Sequence, residues 1–181
     1  IGGGWNGDGG SFSTGTDGNA VIFATGDKAN IQDTSQKDSW QGVIFEGNEG
    51  KVYGNPAPTQ DFTIPSDKTL TIEQGKTLTI RTDVTMTNEG TITNEGTITN
   101  EGTITNEGTI TNNGIIQNDG IIQNNGTIDG NGTLYNNGTL TGSGTVSCTV
   151  VEPTQPQPTD PTTPETTAPT DTDHTVQTDN S

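Results

Sequence analysis

From Asn88 to Ser147 the chain is one six-residue phrase repeated ten times, starting at Asn88-Glu89-Gly90-Thr91-Ile92-Thr93 and ending, with small edits, at Gly142-Ser143-Gly144-Thr145-Val146-Ser147. A short fixed period means that one structural unit is stacked on copies of itself. Within each unit, Thr-Ile-Thr favours a strand, whereas Asn, Glu and Gly interrupt one. The simplest solution is a strand of three or four residues followed by a corner, with Ile inward and both Thr outward. Gly at the third position is expected to supply the positive φ that a sharp corner demands.

Two arrangements can satisfy this pattern. An antiparallel meander leaves a single layer with one Ile per strand and nothing to pack against, so it is rejected. In a β-solenoid each Ile stacks on the Ile of the next coil, while backbones pair along the axis at ~4.8 Å. A coil could hold twelve residues in a flat sandwich or eighteen in a triangular prism. Twelve would stack Glu89 on Glu101 and Glu95 on Glu107; eighteen brings only Glu89 and Glu107 together. Exposed carboxylates ~5 Å apart repel by roughly 1 kcal/mol in water, which favours eighteen without deciding. The Asn opening most units (Asn88, Asn94, Asn100, Asn106, Asn112, Asn118, Asn124, Asn136) can form an amide ladder along the axis. Plain turn propensity is the competing explanation.

Composition fits a solenoid better than a compact core. Only 24% of the 181 residues are aliphatic or aromatic, and 26 are Gly. Low hydrophobicity with a net charge of -17 would ordinarily point to disorder. Here, however, the few apolar residues recur on schedule. All six basic residues (Lys28, Lys37, Lys51, Lys68, Lys76, Arg81) precede position 82, and thirteen acidic residues follow Arg81. Such a chain repels phosphate backbones and anionic lipid, so nucleic acid and membrane surfaces are excluded as partners. A cation or a neutral, hydroxyl-rich ligand suits it better. Cys148 is the sole cysteine, so no internal disulfide frames the fold. No apolar run approaches the ~18 residues of a membrane span. With Ile1 first and no charged-then-apolar leader before it, the chain reads as a monomeric piece of something larger.

Four zones follow in order: a Gly-rich end of an upstream repeat (1–19), an irregular β region capping the solenoid (20–87), the hexads (88–147) and a Pro/Thr-rich disordered linker (148–181). In the second zone, Gly47-Asn48-Glu49-Gly50 turns the chain into Lys51-Val52-Tyr53 as a hairpin or tight loop. Lys68-Thr69-Leu70-Thr71-Ile72 then returns as Lys76-Thr77-Leu78-Thr79-Ile80, with alternating apolar and hydroxyl faces. No segment has a 3.6-residue apolar period, so the expected fold class is all-β, without helix.

The run Gly2-Gly3-Gly4-Trp5-Asn6-Gly7-Asp8-Gly9-Gly10, the pair Ala20-Val21-Ile22-Phe23-Ala24 and Gly42-Val43-Ile44-Phe45-Glu46, and Phe62-Thr63-Ile64-Pro65 leading into Asn-x-Gly-Thr-Ile hexads carry a resemblance. Together they resemble large repeat-bearing surface proteins of Gram-positive gut anaerobes, whose repeats are similar to β-helical adhesin stalks. The resemblance implies an extracellular, cell-wall-associated location and partners among glycans or the host or cell-wall surface. Its motifs are architectural and bring no catalytic residue. A sorting motif of the Leu-Pro-x-Thr-Gly type does not occur in the sequence. The Pro/Thr tail fits a stiff spacer that carries a domain through a cell wall.

Signals for chemistry are weak. Asp8, Asp17 and Asp27 lie in Gly-rich segments without the spacing of calcium-binding β-rolls, and the Glu89–Glu107 row is at most a loose cation site. Trp5, Trp40 and Tyr53 are the candidate ligand residues, able to stack on sugar rings. For these and for Tyr135, burial as a cap of the solenoid is the competing role. Catalysis by a β-helical lyase or glycosidase needs carboxylates clustered with Arg or Lys, and the hexads contain no basic residue. No pattern calls for a catalytic residue, a metal or a cofactor. The function expected is a non-enzymatic stalk or adhesin segment. A carbohydrate-binding module is the first alternative, and an ice-binding Thr-x-Thr solenoid, built on Thr91/Thr93 through Thr109/Thr111, is the second.

Overall fold

The computed structural model describes residues 21–24 and 41–153, and all regular structure among them is β. The first strands are β1 (Val21–Ala24), β2 (Gly42–Glu46), β3 (Glu49–Tyr53), β4 (Phe62–Ile64), β5 (Thr69–Ile72) and β6 (Thr77–Ile80). Next come β7 (Thr85–Asn88), β8 (Thr91–Asn94), β9 (Thr97–Asn100), β10 (Thr103–Asn106), β11 (Thr109–Asn112) and β12 (Ile115–Asn118). The last six are β13 (Ile121–Asn124), β14 (Thr127–Asp129), β15 (Thr133–Asn136), β16 (Thr139–Thr141), β17 (Thr145–Val146) and β18 (Thr149–Val151).

Successive strands never share a sheet after β3. They fall in rotation onto three faces: β1-β2-β3-β5-β8-β11-β14-β17, β4-β7-β10-β13-β16 and β6-β9-β12-β15-β18. Every pairing is parallel except the β2–β3 hairpin, whose two-residue turn Gly47-Asn48 has Gly47 at φ 62°. Thr91 pairs with Thr109 and Thr109 with Thr127, so a coil takes 109 − 91 = 18 residues. The hexad region is therefore a three-sided β-solenoid, and the flat twelve-residue sandwich is ruled out. Above it the coils are longer: Phe62 pairs with Met86, 86 − 62 = 24 residues on.

The inward aliphatics form three columns, such as Ile92–Ile110–Ile128 and Ile98–Ile116–Leu134, each 0–1% exposed. One such residue per strand is not the whole interior. The full strands read Thr-Ile-Thr-Asn, with the second and fourth residues buried. Asn thus completes the strand rather than interrupting it, because alternation carries its side chain inward and its amide finds partners there. The corner shrinks to two residues, as at Glu89-Gly90.

The hexad glycines also differ from expectation. Among the described glycines, positive φ occurs at Gly42, Gly47, Gly54, Gly75, Gly130 and Gly142, none of them at the third hexad position. What demands glycine there is close approach. A Cβ on Gly108 would strike the carbonyl oxygen of Gly90 one coil away, and the same holds for Gly114 over Gly96 and Gly126 over Gly108. These corners are pinned by Glu107 and Gly108 N–H groups donating to the Asn88 carbonyl at 2.8 and 3.0 Å. Thr109 N–H donates to the Gly90 carbonyl at 3.0 Å.

Candidate functional surface

The buried amides make three ladders along the axis. Asn88 Nδ2 donates to Asn106 Oδ1 at 2.8 Å, and Asn106 Nδ2 to Asn124 Oδ1 at 2.7 Å. Asn94 donates to Asn112 at 2.8 Å; Asn100 donates to Asn118 and Asn118 to Asn136, each at 2.7 Å. The second amide hydrogen goes to a backbone carbonyl 21 residues on, as from Asn94 to Ile115 O at 2.9 Å. Each ladder starts where an aliphatic gives way to Asn: Ile64 pairs with Asn88, Ile72 with Asn94 and Ile80 with Asn100. No donor lies above these first rungs, and the Oδ1 atoms of Asn88, Asn94 and Asn100 are buried without a hydrogen bond.

Each ladder ends differently. Gly142, at φ 112°, takes the position after Asn124. The position after Asn112 is Gly130, at φ 104°. Asn136 donates to both carboxylate oxygens of Glu152 at 3.0 Å, because the last coil is two residues short: Thr133 pairs with Thr149, 149 − 133 = 16. Burial pushes the Cys148 thiol above the ordinary range, an effect that its own backbone N–H and the Asn112 side chain only partly oppose. At pH 8 it is covered and protonated, so its alkylation by iodoacetamide is expected to run at least about tenfold slower than in the urea-unfolded chain. Equal rates in the two states would show that Cys148 is not covered in the folded chain.

Outside, the four hexad Thr-x-Thr pairs are spread over all three faces. The first sheet carries three consecutive pairs, Thr69/Thr71, Thr91/Thr93 and Thr109/Thr111, and one of its columns continues through Thr127 and Thr145. The second carries two (Thr85/Thr87 and Thr103/Thr105), as does the third (Thr77/Thr79 and Thr97/Thr99). Ile121/Gln123 and Ile115/Gln117 then take their places, with Ile115 and Ile121 exposed. At the corners, Glu89 stacks with Glu107, and Glu101 with Asp119. Each acidic column closes on an amide: Asn125 Nδ2 donates to Glu107 Oε1 at 2.7 Å, and Asn137 Nδ2 to Asp119 Oδ1 at 2.9 Å. No group of three or more His, Cys, Asp or Glu side chains is placed to hold a metal ion among the described residues.

Of the candidate ligand residues, Trp5 and Trp40 lie outside the described residues, as do Asp8, Asp17 and Asp27. Tyr53 ends β3 and is half-buried; burial raises its hydroxyl pKa, the Glu46 carboxylate adds to the rise, and Lys51 opposes it. Beside it, Lys51 Nζ donates to Glu73 Oε1 at 2.8 Å, a contact that raises the lysine and lowers the carboxylate. Tyr135 is not a buried cap. It stands 40% exposed on the third face, one rung below Gln117.

The class defined by this geometry is a three-sided parallel β-solenoid with internal asparagine ladders. No family model, curated protein or solved structure matches the chain. No helix among the described residues is long and apolar enough to cross a membrane.

Proposed function

We propose that the chain is a non-enzymatic extracellular stalk segment that spaces or presents an upstream binding region from a bacterial surface. The observation that carries this reading is the axial hydrogen bonding, continuous in the backbone on all three faces. Backbone ladders on three faces and amide ladders at three corners all run in one direction. Six rungs of the first sheet (β3, β5, β8, β11, β14, β17) at ~4.8 Å spacing make about 24 Å of rod. Every coil contacts only its neighbours, so length can change by whole coils without altering the rest. That is the property a spacer needs. The acidic, hydroxyl-rich exterior keeps such a rod solvated, and the resemblance of the glycine-rich and threonine-rich segments supports a cell-surface setting.

The spacer reading makes coil number adjustable and surface chemistry secondary. Deleting residues 106–123 (123 − 106 + 1 = 18, one coil) is expected to leave a folded, shorter rod with cooperative unfolding. Deleting 106–117 moves each later strand onto the wrong face and is expected to abolish that cooperativity. On cells displaying the parent protein, antibodies to the hexads should label the intact surface, and the one-coil deletion should leave attachment by the upstream region in place. Loss of attachment on removing one coil, or labelling only after lysis, would overturn the stalk assignment.

A further inference from the structure

The chain's sole arginine is not used by the solenoid. Arg81 opens the four-residue turn between β6 and β7; its side chain is exposed and makes no ion pair among the described residues. It borders an open depression of about 300 Å³ lined by Ala57, Thr79, Arg81, Thr82, Asp83 and Glu101. The other two turns of this coil, Pro65–Lys68 and Glu73–Lys76, close with the same hydrogen bond as Arg81–Val84. The third corner differs in having the segment around Ala57 beside it.

The walls of the depression are held by backbone. Val84 N–H donates to Arg81 O at 2.9 Å, fixing the turn. The next coil clamps that turn from below: Glu101 N–H donates to Ile80 O at 2.8 Å, and Thr103 N–H to Val84 O at 3.0 Å. Gly102 lies so close that a Cβ there would strike the carbonyl oxygens of Arg81 and Val84. On the upper side, Thr79 N–H donates to Pro56 O at 3.0 Å and Thr77 N–H to Asn55 Oδ1 at 3.1 Å, tying the Ala57 segment to β6. Little of the site's framework has to be ordered by an arriving ligand, which lowers the cost of binding.

Its chemistry selects the ligand class. A guanidinium offers up to five donors, two carboxylates accept, and two hydroxyls do both. One cation against two anions leaves the site net negative, within a chain of net charge -17. Phosphate, sulfate and uronate ligands are therefore disfavoured. A neutral molecule with adjacent hydroxyls, each able to donate to a carboxylate while accepting from Arg81 or a threonine, matches this mixture of donors and acceptors. We infer that this depression binds one neutral hexose unit of a glycan. The inference stands apart from the stalk reading, since a rod with or without such a site is equally a spacer.

The test is a ¹⁵N chemical-shift titration of the whole chain with methyl glycosides of glucose, galactose and mannose, with glucuronic acid and glycerol as comparators. Saturable shifts are expected for the amides of Thr79, Arg81, Thr82, Asp83 and Glu101 with at least one neutral hexoside, and weaker ones with glucuronic acid. Arg81→Gln should weaken that binding about tenfold, the worth of one charged hydrogen-bonding group, while leaving the amide spectrum of the hexads unchanged. No saturable shift with any of the three hexosides would overturn the inference, as would equal affinity for glycerol or an unaltered titration in Arg81→Gln.

Discussion

Replacing Gly114 with alanine is expected to lower the stability of the solenoid by about 3 kcal/mol or more, the upper range for forcing extra volume into a packed site. The new methyl would meet the Gly96 carbonyl oxygen one coil above, with the Glu95 carbonyl carbon at 2.8 Å and its oxygen at 2.9 Å. All three are backbone atoms, so no side chain can rotate aside. The rungs must separate, and separation stretches the hydrogen bonds from Asn113 and Gly114 N–H to the Asn94 carbonyl, now 2.8 and 2.9 Å. Gly47→Ala is the informative comparison. Gly47 has φ 62°, yet a Cβ there meets nothing within 4 Å. Its replacement is expected to cost only about 1 kcal/mol of backbone strain. Urea unfolding followed by far-ultraviolet circular dichroism ranks the two. If Gly114→Ala proves no worse than Gly47→Ala, coil spacing is not what the hexad glycines protect.

That contrast marks where the sequence is legible and where it is not. The period, the parallel stacking and the inward isoleucines follow from Thr-Ile-Thr recurring every six residues, because one apolar side chain per short strand can only be covered by its own copies. Coil length was left open, since repulsion between superposed glutamates leaned towards eighteen without deciding; the pairing of Thr91 with Thr109 and Thr127 decides it. The role of glycine was misread. A corner glycine suggests φ > 0, but crowding between successive coils is a property of the stack and is invisible in one repeat. The place of Asn in the strand was misread for a related reason, although its recurrence did announce the amide ladders. Asn looks like a turn residue until a copy of itself lies one coil below to accept its amide. The starting points of the ladders were hidden, because Ile64–Asn88, Ile72–Asn94 and Ile80–Asn100 are paired across unequal separations (88 − 64 = 24, 94 − 72 = 22, 100 − 80 = 20) that no fixed period announces. The Arg81 depression was hidden too, since it forms between the segment at Ala57 and a corner 24 residues later (81 − 57 = 24).

Asn106→Ala is expected to cost about 4 kcal/mol, because it breaks a ladder in its middle. Asn106 accepts from Asn88 Nδ2 at 2.8 Å and donates to Asn124 Oδ1 at 2.7 Å and to Thr127 O at 3.1 Å. Without it, the Asn88 amide loses one of two acceptors and the buried Asn124 oxygen loses its donor, each worth about 1–3 kcal/mol. A cavity opens as well. Asn106→Leu separates the two contributions, since it refills the space but supplies neither donor nor acceptor. It is expected to recover only a minor part of the loss. Asn136→Ala sets the scale at the other extreme. Asn136 donates to the exposed Glu152 carboxylate, which water can satisfy in its absence, so only one buried partner, Asn118, is left short. Its cost should be about half that of Asn106→Ala. Hydrogen exchange adds a local reading: protection should fall first in β7, β10 and β13, the rungs the broken ladder joins, before the other two faces respond. If Asn106→Leu restores wild-type stability, volume rather than amide pairing holds the corners. The run of asparagines would then reflect turn preference alone.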